Sequence, residues 1–220
     1  MSDTRYGQPP VDVGPVAVEF VELMHWMYLP VKMAGTYGFR YPDNVRFLEP
    51  LVDAATHDFF GCYDDGGLRA VRDHYVYLTC RRGWATPDNP INRPGWHTDG
   101  FGTDDINYVW CDRWGTRWAV HDFDDISGDH IESMHQFETQ ARTTGAAEPG
   151  RLYRLDQYVV HATPIIPDDG GWRSFVKVSF STARYDLAGN SHNHLFDYDW
   201  TMRDRDDVRN DPWTAGKDHS

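Results

Sequence analysis

The sequence predicts a mainly β domain with helices at its N-terminal end. Three observations predict it. Apolar-dense segments without strict alternation occupy the chain before residue 62, short alternating runs rich in aromatic and β-branched residues follow Asp73, and Gly/Pro breaks separate those runs. Helices first and many short strands afterwards point to helices packed against a sandwich or barrel of antiparallel strands. With 220 residues, 40% of them hydrophobic, and no repeat period or composition shift, the chain reads as a single domain, 1–220.

Residues 1–15 are polar, carry Pro9, Pro10 and Pro15, and read as an arm or loose extension. Residues 16–33 are dense in apolar side chains and read as a helix interrupted near Pro30. Residues 44–61 read as a second helix, capped by Asp43 or Asn44 and ended by Gly61, with Pro50 standing against its middle. Together 16–61 form the helical support. HYVYLTCRR at 74–82 has the alternation of a strand, and a Pro/Gly/Asn loop follows over 83–95. Short strands are expected near 96–100, at 106–112 and at 116–123, the last two joined as a hairpin through Arg113–Trp114–Gly115. The polar stretch 124–149 contains a short helix, HIESMHQFETQA. Residues 151–162 read as one strand or two, and 170–183 is the strongest strand signal in the chain. The polar segment 186–220 either wraps the domain or is partly loose.

The charge balance narrows the function classes. A formal net charge of −13 disfavours nonspecific binding to nucleic acid or to an anionic membrane. Three cysteines, Cys62, Cys80 and Cys111, form no CxxC pair and an odd count, so a disulfide scaffold is not expected. No signal peptide and no bilayer-spanning run is visible, which makes a cytoplasmic setting the expectation. No GxGxxG, Walker loop or GxSxG elbow is present.

The chemistry centres on RPGWHTDGFG, residues 93–102. Side chains two apart on a strand share a face, so His97 and Asp99 would aim an imidazole and a carboxylate into one space. Gly95 and Gly100 bracket them. His161, at the end of QYVVHA, would complete two imidazoles and one carboxylate. That set suits iron(II), since it fills one face of an octahedron and leaves the other open. The bland alternative for an HxD pair is a core histidine bonded to a carboxylate. Beyond His161, Arg173, Phe175, Lys177 and Ser179 would share one face of a strand. Two accounts stand side by side there. Inward-facing cations bind a carboxylate, which Arg173 grips better than Lys177, or both cations are solvated and Ser174, Val176, Val178 and Phe180 face the core.

HTD at 97–99, His161, and Arg173 within WRSFVKVSFS together resemble the iron(II)- and 2-oxoglutarate-dependent oxygenase (dioxygenase) superfamily, over residues 74–181. The resemblance implies a double-stranded β-helix (jelly roll, cupin-like) core over about 74–181. It implies that His97, Asp99 and His161 hold Fe(II) and that Arg173 pairs with the distal carboxylate of 2-oxoglutarate. Lys177, in an RxS-like pattern with Ser179, is the alternative anchor or a contact to an anionic substrate. Halogenases of this superfamily lack the metal carboxylate, so Asp99 favours hydroxylation, desaturation or another oxygen-dependent outcome. The implied reaction consumes O2 and 2-oxoglutarate, releases succinate and CO2, and hydroxylates an unactivated C–H bond of a small or amino-acid-like molecule.

Asn107, Tyr75, Tyr77 and Trp110 lie on strands and line the pocket, hydrogen-bond the co-substrate or, for the rings, pack in the core. Arg93 is a substrate contact or a surface-loop residue. The 124–149 segment either covers the pocket, with Glu132, His135 and Glu138 facing in, or is a surface excursion. His121 with Asp122 and Asp124, and His192 with His194, are the other histidine groupings, the latter pair expected in solvent. Two rival readings remain: a cupin-like metalloenzyme that does not use 2-oxoglutarate, and a non-catalytic β-sandwich binding module. The sequence leaves the oligomeric state open.

Overall fold

The computed structural model describes residues 2–3 and 5–205 of the chain. In order, the elements are β1 (Ser2–Asp3), β2 (Val11–Pro15), β3 (Met24–Lys32), α1 (Glu49–Gly61), α2 (Gly67–Asp73), β4 (Tyr75–Ala85), β5 (Ile106–Cys111), β6 (Arg117–Trp118), β7 (Phe123–Asp124), α3 (His130–Gln140), β8 (Gly145–Ala146), β9 (Arg151–Leu155), β10 (His161–Ala162) and β11 (Gly171–Ser181). A 3-10 segment, Asp43–Leu48, leads into α1. The fold is mainly antiparallel β with few helices. A six-stranded sheet runs in the order β2-β9-β5-β11-β4-β3, a three-stranded one β10-β6-β8, and β1 pairs with β7.

The long strands β4 and β11 pair over their full length, Gly171 opposite Ala85 through Ser181 opposite Tyr75. Their alternation decides the two faces of the large sheet. Val176, Val178 and Phe180 of β11, with Leu78 and Cys80 of β4 and Tyr108 and Trp110 of β5, meet Leu51, Val52, Ala55 and Phe59 of α1 in the main core. Phe59 stacks on Phe180 at 4.1 Å, and burying a ring of that size stabilises by roughly 1.5–3 kcal/mol. The opposite face carries Arg173, Phe175, Lys177 and Ser179. There Val109, Tyr153, Leu155 and Phe175 pack with Val159, Ala147 and the ring of Trp118 from the small sheet. The space between the two sheets is therefore part apolar and part charged.

Several expectations give way here. Residues 16–33 are not a helix: Met24–Lys32 is edge strand β3, paired with β4. Pro30 is tolerated because an edge strand needs only half of its backbone donors, and Leu29 and Val31 are fully buried in the main core. The 1–15 arm is pinned, β1 by β7 and β2 by β9. Pro50 sits in the first turn of α1, where a missing N–H costs nothing, and Gly61 does end that helix. Neither Asp43 nor Asn44 caps: the residue preceding the 3-10 segment is Pro42, with no side-chain cap bond. Helix α2 was not anticipated, and β4 runs on through Ala85, into the stretch expected to be loop.

The hairpin through Arg113–Gly115 does not form. The chain instead crosses from the large sheet to the small one, where β6 pairs with β10 and β8. Gly115 permits the crossing, since a Cβ there would lie 1.8 Å from the Ala147 carbonyl oxygen. Residues 151–162 resolve into two strands, β9 and β10, belonging to different sheets. The described part of the C-terminal segment wraps the β3 edge: the Ser191 N–H donates to Met27 O at 2.7 Å, and Asn193 Nδ2 to Pro30 O at 2.8 Å. The expectation for 206–220 lies outside the described residues.

Candidate metal centre

His97 and His161 face each other across a single antiparallel bridge. Each backbone N–H donates to the other residue's carbonyl at 2.9 Å. Residues opposed in this way put their side chains on one side, and the two imidazole centroids lie 4.6 Å apart. The expected strand at 96–100 is only this one bridge. A turn follows immediately, closed by Thr103 N–H to Gly100 O at 2.8 Å. Gly100 takes φ +71°, and a Cβ there would meet Asp105 Cβ at 2.9 Å, so glycine is required on both counts. The turn brings Asp99 back so that its Oδ2 lies 3.6 Å from His161 Nε2.

Ligand atoms of His97, Asp99 and His161 all lie within 4.8 Å of one another, the one such group of three among the described residues. His97 Nδ1 is 3.0 Å from Gly95 O and His161 Nδ1 is 3.0 Å from Val159 O. A carbonyl only accepts, so each Nδ1 carries the proton and each Nε2 keeps its lone pair for a metal. Burial, aided by His161, pushes His97 down to about 3, which keeps the ring neutral. For Asp99 burial works upward, but the Lys177 ammonium holds the carboxyl well below its usual range. Asp99 is thus ionised and the His97 ring neutral, the state a divalent metal needs of each.

Lys177 reaches this group directly. Its Nζ donates to both Asp99 oxygens, at 3.1 and 3.2 Å, and to the Tyr28 hydroxyl at 3.2 Å. Burial lowers its pKa, but Asp99 and Tyr28 outweigh that and raise it. Tyr28 was missed by sequence reasoning because 16–33 read as a helix. It sits at an irregularity of β3 between Trp26 and Leu29 with φ +51°. Pro30, together with the aromatic and β-branched side chains of MHWMYLPV, was the available signal that this segment is a strand.

Arg173 is fully buried on the same face of β11. Nε donates to the carbonyls of Arg113 at 3.1 Å and Trp114 at 3.0 Å. Nη1 donates to Pro90 O at 3.3 Å and to Asn92 Oδ1. Its Nη2 has no partner, and no carboxylate lies within ion-pair distance among the described residues. Burial lowers this guanidinium to about 10, so it stays cationic at neutral pH. Asn107, opposite Ser179, accepts from the Ser179 hydroxyl at 2.6 Å while its own Nδ2 is unpartnered. A buried cation and a buried amide, each with a donor to spare, need an acceptor that the described residues do not place on those atoms.

The remaining expectations divide. Arg93 packs on α3, Nη2 to Met134 Sδ at 2.7 Å, close enough to His97 for its charge to depress that imidazole. Trp110 is corrected: it points to the opposite side of β5, into the main core, with Nε1 donating to Val16 O at 3.0 Å. Tyr77 donates to Ala183 O at 3.0 Å and stacks on Tyr185 at 4.2 Å, beneath the C-terminal segment. Of the three α3 residues expected to face inward, only Glu138 turns to the site segment, accepting from Trp96 N–H at 3.0 Å. Glu132 instead accepts from Ser127 Oγ at 2.6 Å, and His135 is exposed. His121, Asp122 and Asp124 do not form a metal group, and His192 and His194 are exposed.

No helix among the described residues is long and apolar enough to cross a membrane. No protein-family model matches the chain, and no curated protein does. Among solved structures it is similar to the "Crystal structure of IDO from Bacillus thuringiensis", at 14% identity and a TM-score of 0.36 over 66% of each chain. The chain thus spans just under two thirds of that protein's length, and at this level of similarity the comparison supports no functional statement. The chemistry of the site rests on its own residues: two imidazoles and one ionised carboxylate in reach of a single metal ion.

Proposed function

We propose that the protein is an iron(II)- and 2-oxoglutarate-dependent oxygenase that hydroxylates a C–H bond of a small molecule, built on a double-stranded β-helix. The observation that carries this reading is Arg173: a fully buried guanidinium with an unpartnered Nη2, on the strand face whose Lys177 touches the His97–Asp99–His161 group. Arg173 and Lys177 are four residues apart, roughly 13 Å along a strand. A long guanidinium reaching back across Phe175 leaves a span that an extended dicarboxylate can bridge, one end at the metal and the other at Arg173.

The residues present fit both groups. His97, Asp99 and His161 would hold the iron, and Arg173 would take the distal carboxylate, with Asn107 Nδ2 a further donor for the co-substrate. When bound, iron(II) with 2-oxoglutarate activates dioxygen, so that the keto acid leaves as succinate and CO2 and one oxygen atom enters the substrate. The chain's own part is to position and to exclude water. The carbonyls of Gly95 and Val159 fix the imidazole tautomers. Lys177 keeps Asp99 in place and ionised in the metal-free protein. The four acceptors around Arg173 fix its direction, so that little side-chain freedom is lost when an anion arrives. The fully hydrogen-bonded Nε and Nη1 of Arg173 also support a second reading. A guanidinium that ties loops 90–92 and 113–114 to β11 serves a metalloenzyme that uses no keto acid equally well.

Anaerobic addition of iron(II) and 2-oxoglutarate separates the two. Chelation of the metal by the keto acid gives a weak visible charge-transfer band, which should be lost in Asp99→Ala and weakened in Arg173→Met. Under oxygen, succinate should form with substrate. Substrate turnover without succinate would favour the second reading. Absence of stoichiometric iron would leave the non-catalytic module.

A further inference from the structure

We infer that the cleft between β3 and the C-terminal segment 185–202 receives the cationic head of an ammonium-bearing substrate. The substrate role rests on the reading of His97, Asp99 and His161 as the reacting centre; the cation preference does not. The cleft encloses about 470 Å³ of empty space, counting its open mouth. Among the described residues its walls include Tyr28, Tyr185, Tyr198, Trp200 and His192, its one carboxylate is Asp199, and no lysine or arginine lines it. Tyr28 meets Tyr185 edge-on at 5.0 Å, Tyr198 lies 4.6 Å from Trp200, and His192 stacks on Tyr198 at 4.3 Å. Aromatic faces carry negative quadrupole density, so rings around an open space favour an alkylammonium over a neutral group of equal size.

One cation already sits on a wall ring: Lys177 Nζ lies 5.0 Å over Tyr28, its charge balanced by Asp99. Asp199 has no hydrogen bond or ion pair among the described residues, so its carboxylate is available to a ligand. The neighbouring arginines are already engaged. Arg205 donates to Asn190 Oδ1 at 2.6 Å, Arg203 pairs with Asp186 at 2.6 Å, and Arg184 lies 5.9 Å over the Trp200 ring. The last contact shows that this ring already accepts a cation on a face. The Lys177 side chain stands between the cleft and the metal group. The Tyr28 hydroxyl accepts from Lys177 Nζ at 3.2 Å, and the same ammonium donates to Asp99 at 3.1 Å. A ligand against Tyr28 is separated from the metal ligands by one side chain.

The test uses the full-length, metal-free protein and isothermal titration calorimetry. The probes are choline and 3,3-dimethyl-1-butanol, its uncharged carbon counterpart. Choline should bind saturably and at least tenfold more tightly than the alcohol. Asp199→Asn should weaken choline about three- to tenfold and leave the alcohol unchanged, and Trp200→Leu should weaken choline further. Equal binding of the two probes, no saturation with choline, or indifference to Asp199→Asn in a variant with native circular dichroism would overturn the inference. The iron and 2-oxoglutarate titration on the same preparation keeps the two ideas apart. Chelation without choline binding sinks the cleft alone. Choline binding without chelation supports the cation site and sinks the oxygenase reading.

Discussion

Replacing Arg173 with methionine perturbs the proposed co-substrate anchor while leaving the metal ligands untouched. The variant loses the bonds to Arg113 O, Trp114 O, Pro90 O and Asn92 Oδ1. At about 0.5–1.5 kcal/mol net for each bond, that is a loss of about 2–6 kcal/mol. It also removes a buried cation with no carboxylate partner, whose desolvation costs several kcal/mol. The two terms oppose and are similar in size, so the fold should survive. At about 2–4 °C per kcal/mol for a chain of this length, the midpoint of thermal unfolding should fall by no more than about 10 °C. Co-substrate binding has no such offset. A charge-assisted hydrogen bond from Nη2 to a carboxylate contributes about 1.5–3 kcal/mol, so Kd for 2-oxoglutarate should rise about 10- to 150-fold. The assay is the anaerobic visible titration, with circular dichroism as the check on folding. Arg173→Lys, which keeps charge but cannot hold the loop acceptors and a carboxylate at once, should fall between wild type and Arg173→Met. A folded Arg173→Met protein with unchanged Kd for 2-oxoglutarate would refute the reasoning and reduce Arg173 to a brace between loops.

Other perturbations separate the remaining roles. His161→Ala or Asp99→Ala should cost at least about 100-fold in iron(II) affinity by competition with a chelator, because a two-ligand site is left; near-native affinity would exclude the site. Lys177→Met should bind iron at least about tenfold more tightly, since an ammonium opposes a nearby dication by about 3 kcal/mol per unit charge at 5 Å and an effective dielectric of 20. Weaker binding would mean that Lys177 chiefly orients Asp99. Trp110→Ala should destabilise by about 3–5 kcal/mol in a urea titration while leaving 2-oxoglutarate affinity within twofold, as its place in the helix-side core requires. Alkylation at pH 8 followed by mass spectrometry should modify exposed Cys62 and spare buried Cys80 and Cys111. Burial pushes the Cys80 thiol up to about 12, and protection should vanish in denaturant. Rapid native labelling of Cys80 would contradict the packing of β4.

How much of this was legible in the sequence follows from how local each signal is. The alternation of β4, β5 and β11 is a property of neighbouring residues, and those strands lie where alternation puts them. Asp129 before HIESMHQFETQ is a local signal too: its carboxylate accepts from Ile131 and Glu132 N–H at 3.0 and 2.9 Å and starts α3. The ligand types at 97, 99 and 161 were readable because HxD spacing and residue chemistry survive without a fold. Segment 16–33 was misread because its apolar density matches a buried helix and an edge strand equally. Only pairing with β4 and burial of Leu29 and Val31 choose between them.

The sequence by itself determined the chemical inventory and the strand periodicity: two imidazoles, a carboxylate, and two cations spaced to share a face. The tertiary structure alone decided which of these meet. His97 and His161 are joined by two backbone bonds across a separation of 64 residues. Trp110 and Asn107 are sent to opposite sides of one strand. Arg173 finds its acceptors in loops 90–92 and 113–114. Contacts of that range are set by sheet register and by the burial of distant residues, which no local window contains.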